Sequence, residues 1–235
     1  MGNIAIKRLN FRHGQSSEAS LSGVNLRIAQ GQRVVLTGPS GGGKSVLLKM
    51  IAGLYKSRSG AVLIDGVDLR HADPAEYRHV VGYAGEVFDF IEGTIEENLL
   101  LANPVASDAQ LRKAWAEAGL NSCQALFSDG LQTRFEKAQL ERLDAGVRQR
   151  LMLARAYVKP AVVYLLDRPE TGLDVRGMKA LKRKLDRLHG NATVILVSND
   201  INLLRIADHI VYLQDGGIAL EGPPSEVMST VLKAA

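Results

Sequence analysis

Residues 38–45, GPSGGGKS, restrict this chain more than any other stretch. They follow a short apolar strand, RVVLT, and run into KSVLLKMIAG, whose helical spacing ends at Gly53, a fitting C-cap. A chain that leaves a buried strand through glycines and enters a helix turns its backbone N–H groups inward, and the helix N-terminus adds positive potential. That is a cradle for phosphate oxygens. The spacing G-x-x-x-x-G-K-[ST] adds a lysine for the outer phosphates and a hydroxyl for Mg²⁺. Gly38, Pro39, Ser40, Gly41, Gly42 and Gly43 form the cradle, Lys44 is the lysine and Ser45 the hydroxyl. Val46 departs from the many such loops that carry a second hydroxyl there. The plain alternative, a glycine turn that only ends a strand, does not call for the whole pattern between strand and helix.

The rest of the chain supplies a setting for such a loop. NIAIKRLNF and LSGVNLRIA alternate polar and apolar residues, as antiparallel strands with one wet face do. GAVLIDG and HVVGYAG read as further strands. From about residue 94 to 157 the texture is helical, with TIEENLLLA, DAQLRKAWAEAGL and GVRQRLMLARAYV. Strand and helix then alternate: AVVYLLD, VRGMKALKRKLDRLHG, ATVILVS, INLLRIAD and HIVYLQDG. Alternation of this kind implies parallel strands with helices on both faces. Neither an internal repeat nor a long linker interrupts it.

Asp167 closes the apolar run AVVYLLD. A buried strand delivers such a carboxylate to the C-terminal edge of a parallel sheet, where it can hold Mg²⁺ opposite Ser45. The bland reading is a turn aspartate ending a strand.

Composition excludes several classes. With 235 residues, 46% hydrophobic and 23% charged, the chain is ordinary globular material. A charge of +4 with dispersed basic residues and few aromatics gives no nucleic-acid surface. The basic helix RGMKALKRKLDRLHG reads as a solvated face. Cys123 alone cannot build a disulfide framework, and no cluster of metal ligands surrounds it. The N-terminal MGNIAIKRLN lacks an apolar core of signal-peptide length, and AVVYLL is too short to cross a bilayer. Membrane association is therefore expected to run through a partner.

Taken in order, these motifs resemble the nucleotide-binding domain of ABC transporters over essentially the whole chain. GYAGEVFDFIEGTIEENL resembles that family's Q-loop region in its exporter variant. LDAGVRQRLMLARAYVKPAVVYLLDRPETGLD resembles its signature motif, signature helix, Walker B strand and D-loop, and TVILVSND its switch-histidine loop. The resemblance implies an α/β fold: a P-loop NTPase (RecA-like) core, with an N-terminal antiparallel β layer and an inserted helical subdomain. One ABC-type domain would span residues 1–235, with about 94–155 as the helical part and about 1–93 and 156–235 as β layer and core. It implies ATP and Mg²⁺ as cofactors. It also implies a second nucleotide-binding domain, identical or not, as partner, a transmembrane domain, and a place on the cytoplasmic face of the membrane.

Against that pattern the catalytic groups are replaced. The glutamate expected after Asp167 is Arg168, and the switch histidine is Asn199. The Q-loop glutamine is Glu86, which keeps an oxygen for Mg²⁺. The signature LSGGQ is LDAGV, and the aromatic that stacks on adenine falls on His13. Arg168 cannot accept a proton from water but could reach the γ-phosphate and stabilise the bound state. Asn199 can still bond a phosphate oxygen but cannot shuttle a proton. Asp144 would bring a carboxylate toward a partner's γ-phosphate unless it turned away. The implied protein binds Mg-ATP and hydrolyses it slowly or not at all. The alternative is an active ATPase in which Glu170 or Asp174 has taken over the water; in the bland reading Arg168 merely pairs with one of those two. A non-transport relative working on DNA or ribosomes is remote, given EGTIEENL.

Overall fold

The computed structural model describes residues 1–12, 20–57 and 59–234. Strand β1 (Ile4–Phe11), β2 (Leu21–Ile28) and β3 (Arg33–Thr37) lead into helix α1 (Lys44–Ile51). β4 (Ser59–Ile64), β5 (Val67–Asp68), α2 (Pro74–Val80) and β6 (Val81–Ala84) follow. A helical block comes next. It holds α3 (Ile95–Leu100), α4 (Asp108–Glu117), α5 (Lys137–Arg142) and α6 (Ala145–Tyr157), with short strands β7 (Gly93–Thr94) and β8 (Arg134–Phe135) paired beside it. The chain ends through β9 (Val163–Asp167), α7 (Val175–Leu188), β10 (Thr193–Val197), α8 (Ile201–Ile206), β11 (His209–Gln214), β12 (Gly217–Gly222) and α9 (Pro224–Ala234).

Two sheets carry the architecture. An antiparallel one runs β2-β1-β4-β5, and a larger one β12-β11-β3-β10-β9-β6, parallel except for β12 at its edge. Its central strands are apolar without a break because both faces are covered. Val35, Leu166 and Leu196 point toward the helical block. Their neighbours Val34, Leu36, Leu165 and Ile195 point to the other side, where α1 lies packed among the side chains of both sheets. Both layers expected from the sequence are therefore present. In the helical block an aromatic chain joins aliphatic residues such as Ile95, Leu99, Leu111 and Leu151 in the core: Trp115 meets Phe127 edge-on at 5.2 Å, and Phe127 meets Phe135 at 6.1 Å.

Three details differ from the sequence reading. HVVGYAG is not strand throughout, because His79 and Val80 complete α2, a helix started by Pro74 with the Asp73 side chain capping Ala75 N–H. The hairpin β11–β12 and helix α9 went unread. Asp215 and Gly216 both take positive φ, 49° and 76°, the backbone a tight two-residue hairpin turn requires. The basic helix α7 is not simply solvated. Lys184 is buried, paired with Glu117 of α4 and lying 4.8 Å over the Tyr157 ring, so it ties α7 to the helical block.

Candidate functional site

The phosphate loop runs from the end of β3 to the start of α1, at the C-terminal edge of the parallel sheet. Its first glycine is required by close approach as well as by conformation. Gly38 has φ 128°, and a Cβ there would lie 2.1 Å from the Leu213 carbonyl oxygen on β11. Lys44 is buried, and its Nζ donates to the carbonyls of Gly38 and Pro39 at 2.8 and 2.6 Å. The ammonium thus lies under the loop it serves. Burial lowers its pKa, as does the nearby Arg168 charge, while Asp167 opposes them. Val46 turns inward against the core shared with the antiparallel sheet, so an apolar side chain suits it.

Asp167 ends β9, two strands away from β3 in the same sheet. It is 1% exposed, and among the described residues neither carboxylate oxygen has a well-formed hydrogen bond. Burial raises its pKa; the neighbouring Ser45 hydroxyl pulls the other way. An orphaned buried carboxylate beside a hydroxyl and a phosphate cradle is the donor set a hard divalent cation takes, so the residues present fit Mg²⁺.

The acid also has a consequence for stability. The folded chain holds this proton more tightly than the unfolded chain does. The stabilising contribution is full below the unfolded pKa, near 4, and is lost as pH rises toward the raised folded value. Asp167→Asn is therefore expected to raise the melting temperature at pH 7.5, without metal or nucleotide, by about 2–4 °C if the ionised group costs about 1 kcal/mol. Scanning calorimetry at pH 5 and pH 7.5 checks it: the gain must shrink at the lower pH.

Arg168 follows at φ 47°, its N–H donating to Val197 O at 2.9 Å. Its partner is neither of the two acids that follow it in the turn, Glu170 and Asp174. Nη1 lies 3.1 Å from Glu86 Oε1, which replaces the pairing with Glu170 or Asp174 of the bland reading. Asp174 caps α7 by accepting from Gly177 N–H at 2.7 Å, and it pairs with the buried Arg150 at 2.7 Å. Glu170 lies on the other side. One of its oxygens accepts from the Ser198 hydroxyl at 2.5 Å, the other is buried without a partner, and burial raises its pKa. Asn199, the next residue after Ser198, accepts from the Thr37 hydroxyl at 2.7 Å, which links it to the strand feeding the phosphate loop. Glu86 thus lies beside Arg168, while His13 falls outside the described residues.

At the start of α6 the Asp144 side chain accepts from Gly146 N–H at 2.8 Å. The carboxylate caps its own helix, as an N-cap aspartate does, and fills the end where an anion would otherwise meet free N–H groups. Sequence reasoning left open where Asp144 turned. An aspartate just ahead of an apolar helix is the signal that could have decided it.

A parallel sheet, a glycine-walled loop holding a buried lysine and an orphaned strand-end carboxylate together define a P-loop nucleotide-binding domain. The family described as ABC transporter matches residues 21–171, more than half of the chain, and the chain belongs to that family. It is 32% identical over 97% of its length to the alpha-hemolysin translocation ATP-binding protein HlyB of Escherichia coli O6:H1, of which it spans 32%. It is 29% identical over 97% of its length to a putative multidrug export ATP-binding/permease protein, YgaD, of Bacillus subtilis, spanning 39% of that protein. ABC transporter B family member 1 of Dictyostelium discoideum is 30% identical over 97% of the chain, which spans 25% of it. The chain thus covers well under half the length of these relatives. A solved bacterial Atm1-family ABC exporter with ATP bound shares the fold, with a TM-score of 0.90 and 24% identity over 99% of this chain and 41% of that one. Among the described residues, no helix is long and apolar enough to cross a membrane.

Proposed function

We propose that the chain is the ATP-binding part of an ABC exporter that holds Mg-ATP and hydrolyses it slowly or not at all. One observation carries this reading. The position beside Asp167 that would hold a water-activating carboxylate holds Arg168, whose guanidinium lies on Glu86. A guanidinium does not take a proton from water at cellular pH. Asn199 lacks the titrating ring of a histidine, and Asp144 has filled the end of α6 with its own carboxylate.

Residues 38–45 would bind the phosphates, with Lys44 at the outer ones. Ser45 and Asp167 would hold Mg²⁺, with Glu86 as a further oxygen ligand and Val46 behind the loop. His13 is the proposed adenine contact. The bound cation supplies neutralisation of phosphate charge. A second nucleotide-binding domain, identical or different, would complete the site through its own signature helix.

The relatives that are ATP-binding/permease proteins support a transmembrane domain as the other partner, on the cytoplasmic side of the membrane. A groove of about 540 Å³ offers it a seat in which the apolar Leu54, Leu101 and Pro104 lie beside the basic Arg78, Arg155 and Lys159; Leu54 and Leu101 are more than half exposed.

A second reading rests on Glu170. A half-buried carboxylate with one oxygen buried and unbonded and a pKa raised by burial, at the edge of the site, suits a general base. Phosphate release by the purified chain separates the two. Slow-hydrolysis behaviour is a turnover barely above a Lys44→Ala control. Turnover on the order of 1 s⁻¹ or more, lost in both Lys44→Ala and Glu170→Gln, would instead establish the active enzyme.

A further inference from the structure

Arg168 has a fixed backbone and a loosely held head. Its N–H is bound to Val197 O and its carbonyl accepts from Thr171 N–H at 3.1 Å, so the Cα position is set by the strand end and the turn after it. Among the described residues the guanidinium has one ion-pair partner, Glu86, and the two side chains are 45% and 52% exposed. An ion pair that open to water contributes little and breaks readily. Arg168 directly follows Asp167 at the C-terminal end of β9, the sheet edge to which β3 delivers the phosphate loop, so the guanidinium is carried beside that loop.

We propose that Arg168 is a resident counter-charge for the terminal phosphate of a bound nucleoside triphosphate, leaving Glu86 when that phosphate arrives, so that the site holds ATP with little need for a divalent cation. This rests on the nucleotide-binding reading given above. A phosphate offers a guanidinium two charged oxygens in the fork geometry it matches best, against one oxygen of a half-solvated carboxylate. Exchange of partners therefore favours the phosphate. The swap leaves Glu86, rather than the nucleotide, to return to water, and Glu86 is already half exposed.

Calorimetric titration of the full 235-residue chain with ATP, in Mg²⁺ and in EDTA, tests the idea. Wild-type affinities in the two buffers are expected to agree within about tenfold. Arg168→Gln is expected to lose metal-free affinity by about 10–100-fold, with a clearly smaller loss in Mg²⁺. Arg168→Lys recovers part of the loss, and Glu86→Gln tightens metal-free binding by releasing the guanidinium. Unchanged melting temperatures certify that the variants fold. If chelation weakens wild type and Arg168→Gln by the same factor, the counter-charge role is wrong while the phosphate loop stands. If wild type fails to bind ATP in either buffer, the loop reading falls and takes this one with it.

Discussion

Lys44→Ala is expected to weaken ATP binding by on the order of 10²–10⁴-fold. The side chain is 6% exposed and already makes two hydrogen bonds, to Gly38 O and Pro39 O. Those bonds show that the ammonium is aimed into the loop from below. A phosphate would take over the same proton donors with opposite charge. Hydrogen bonds to charged groups contribute about 1.5–3 kcal/mol each, and two of them account for the expected range. Truncation also takes the lysine donor from Gly38 O, whereas Pro39 O keeps the Gly42 N–H at 3.2 Å, so the cradle loosens at its first residue. The measurement is displacement of a fluorescent ATP analogue, with Lys44→Arg as a charge-retaining comparison. A variant that binds ATP within about threefold of wild type would show that the triphosphate is held elsewhere.

The second large effect runs in the direction of gain. Arg168→Glu combined with Asn199→His is expected to raise steady-state phosphate release by about a hundredfold or more, because proton-handling groups typically contribute 10²–10⁴-fold. The glutamate would stand beside Asp167, where the guanidinium is now. The histidine would stand at the end of β10, beside Thr37 at the mouth of the phosphate loop. The increase is capped by Asp144, whose carboxylate occupies the α6 N-terminus that a partner's nucleotide would face. Adding Asp144→Ser is expected to give a further rise that depends on protein concentration, since it acts across a pair of domains. An unchanged rate in the triple variant would mean that the missing groups are not what limits hydrolysis. If the parent chain proved fast and Glu170→Gln stopped it, the buried carboxylate on the Ser198 side would be the base instead.

The phosphate loop was legible because its physics is local. A strand, a glycine turn and a helix are contiguous, and the loop closes within residues 38–45. The central strands were legible for a related reason: runs such as AVVYLL carry no polar residue because both faces of the sheet are covered. What escaped depends on distance. The bland reading paired Arg168 with an acid two or six positions ahead, yet it meets Glu86 from a segment far back in the chain. Sequence spacing cannot show that β6 and β9 lie side by side and bring their C-terminal ends together. The same limit hid Lys184, whose helical spacing places it on a basic face although α4 covers it with Glu117. The α2 start and the β11–β12 hairpin were local signals passed over, a proline behind a capping aspartate and an Asp-Gly pair between apolar runs. The substituted positions were recognised by comparison with a family pattern, but which of them touch one another was decided by the fold.

Position 168 carries its backbone strain whatever side chain is attached, because the left-handed turn there is imposed by the link to Val197 and not by the guanidinium. The side chain beyond it is half in solvent and fills no part of either core. Exchanging one long polar residue for another at this point therefore alters what the pocket can do at almost no cost to folding. A lineage can retire or reinstate the chemistry of such a domain one codon at a time, while the scaffold remains indifferent to the outcome.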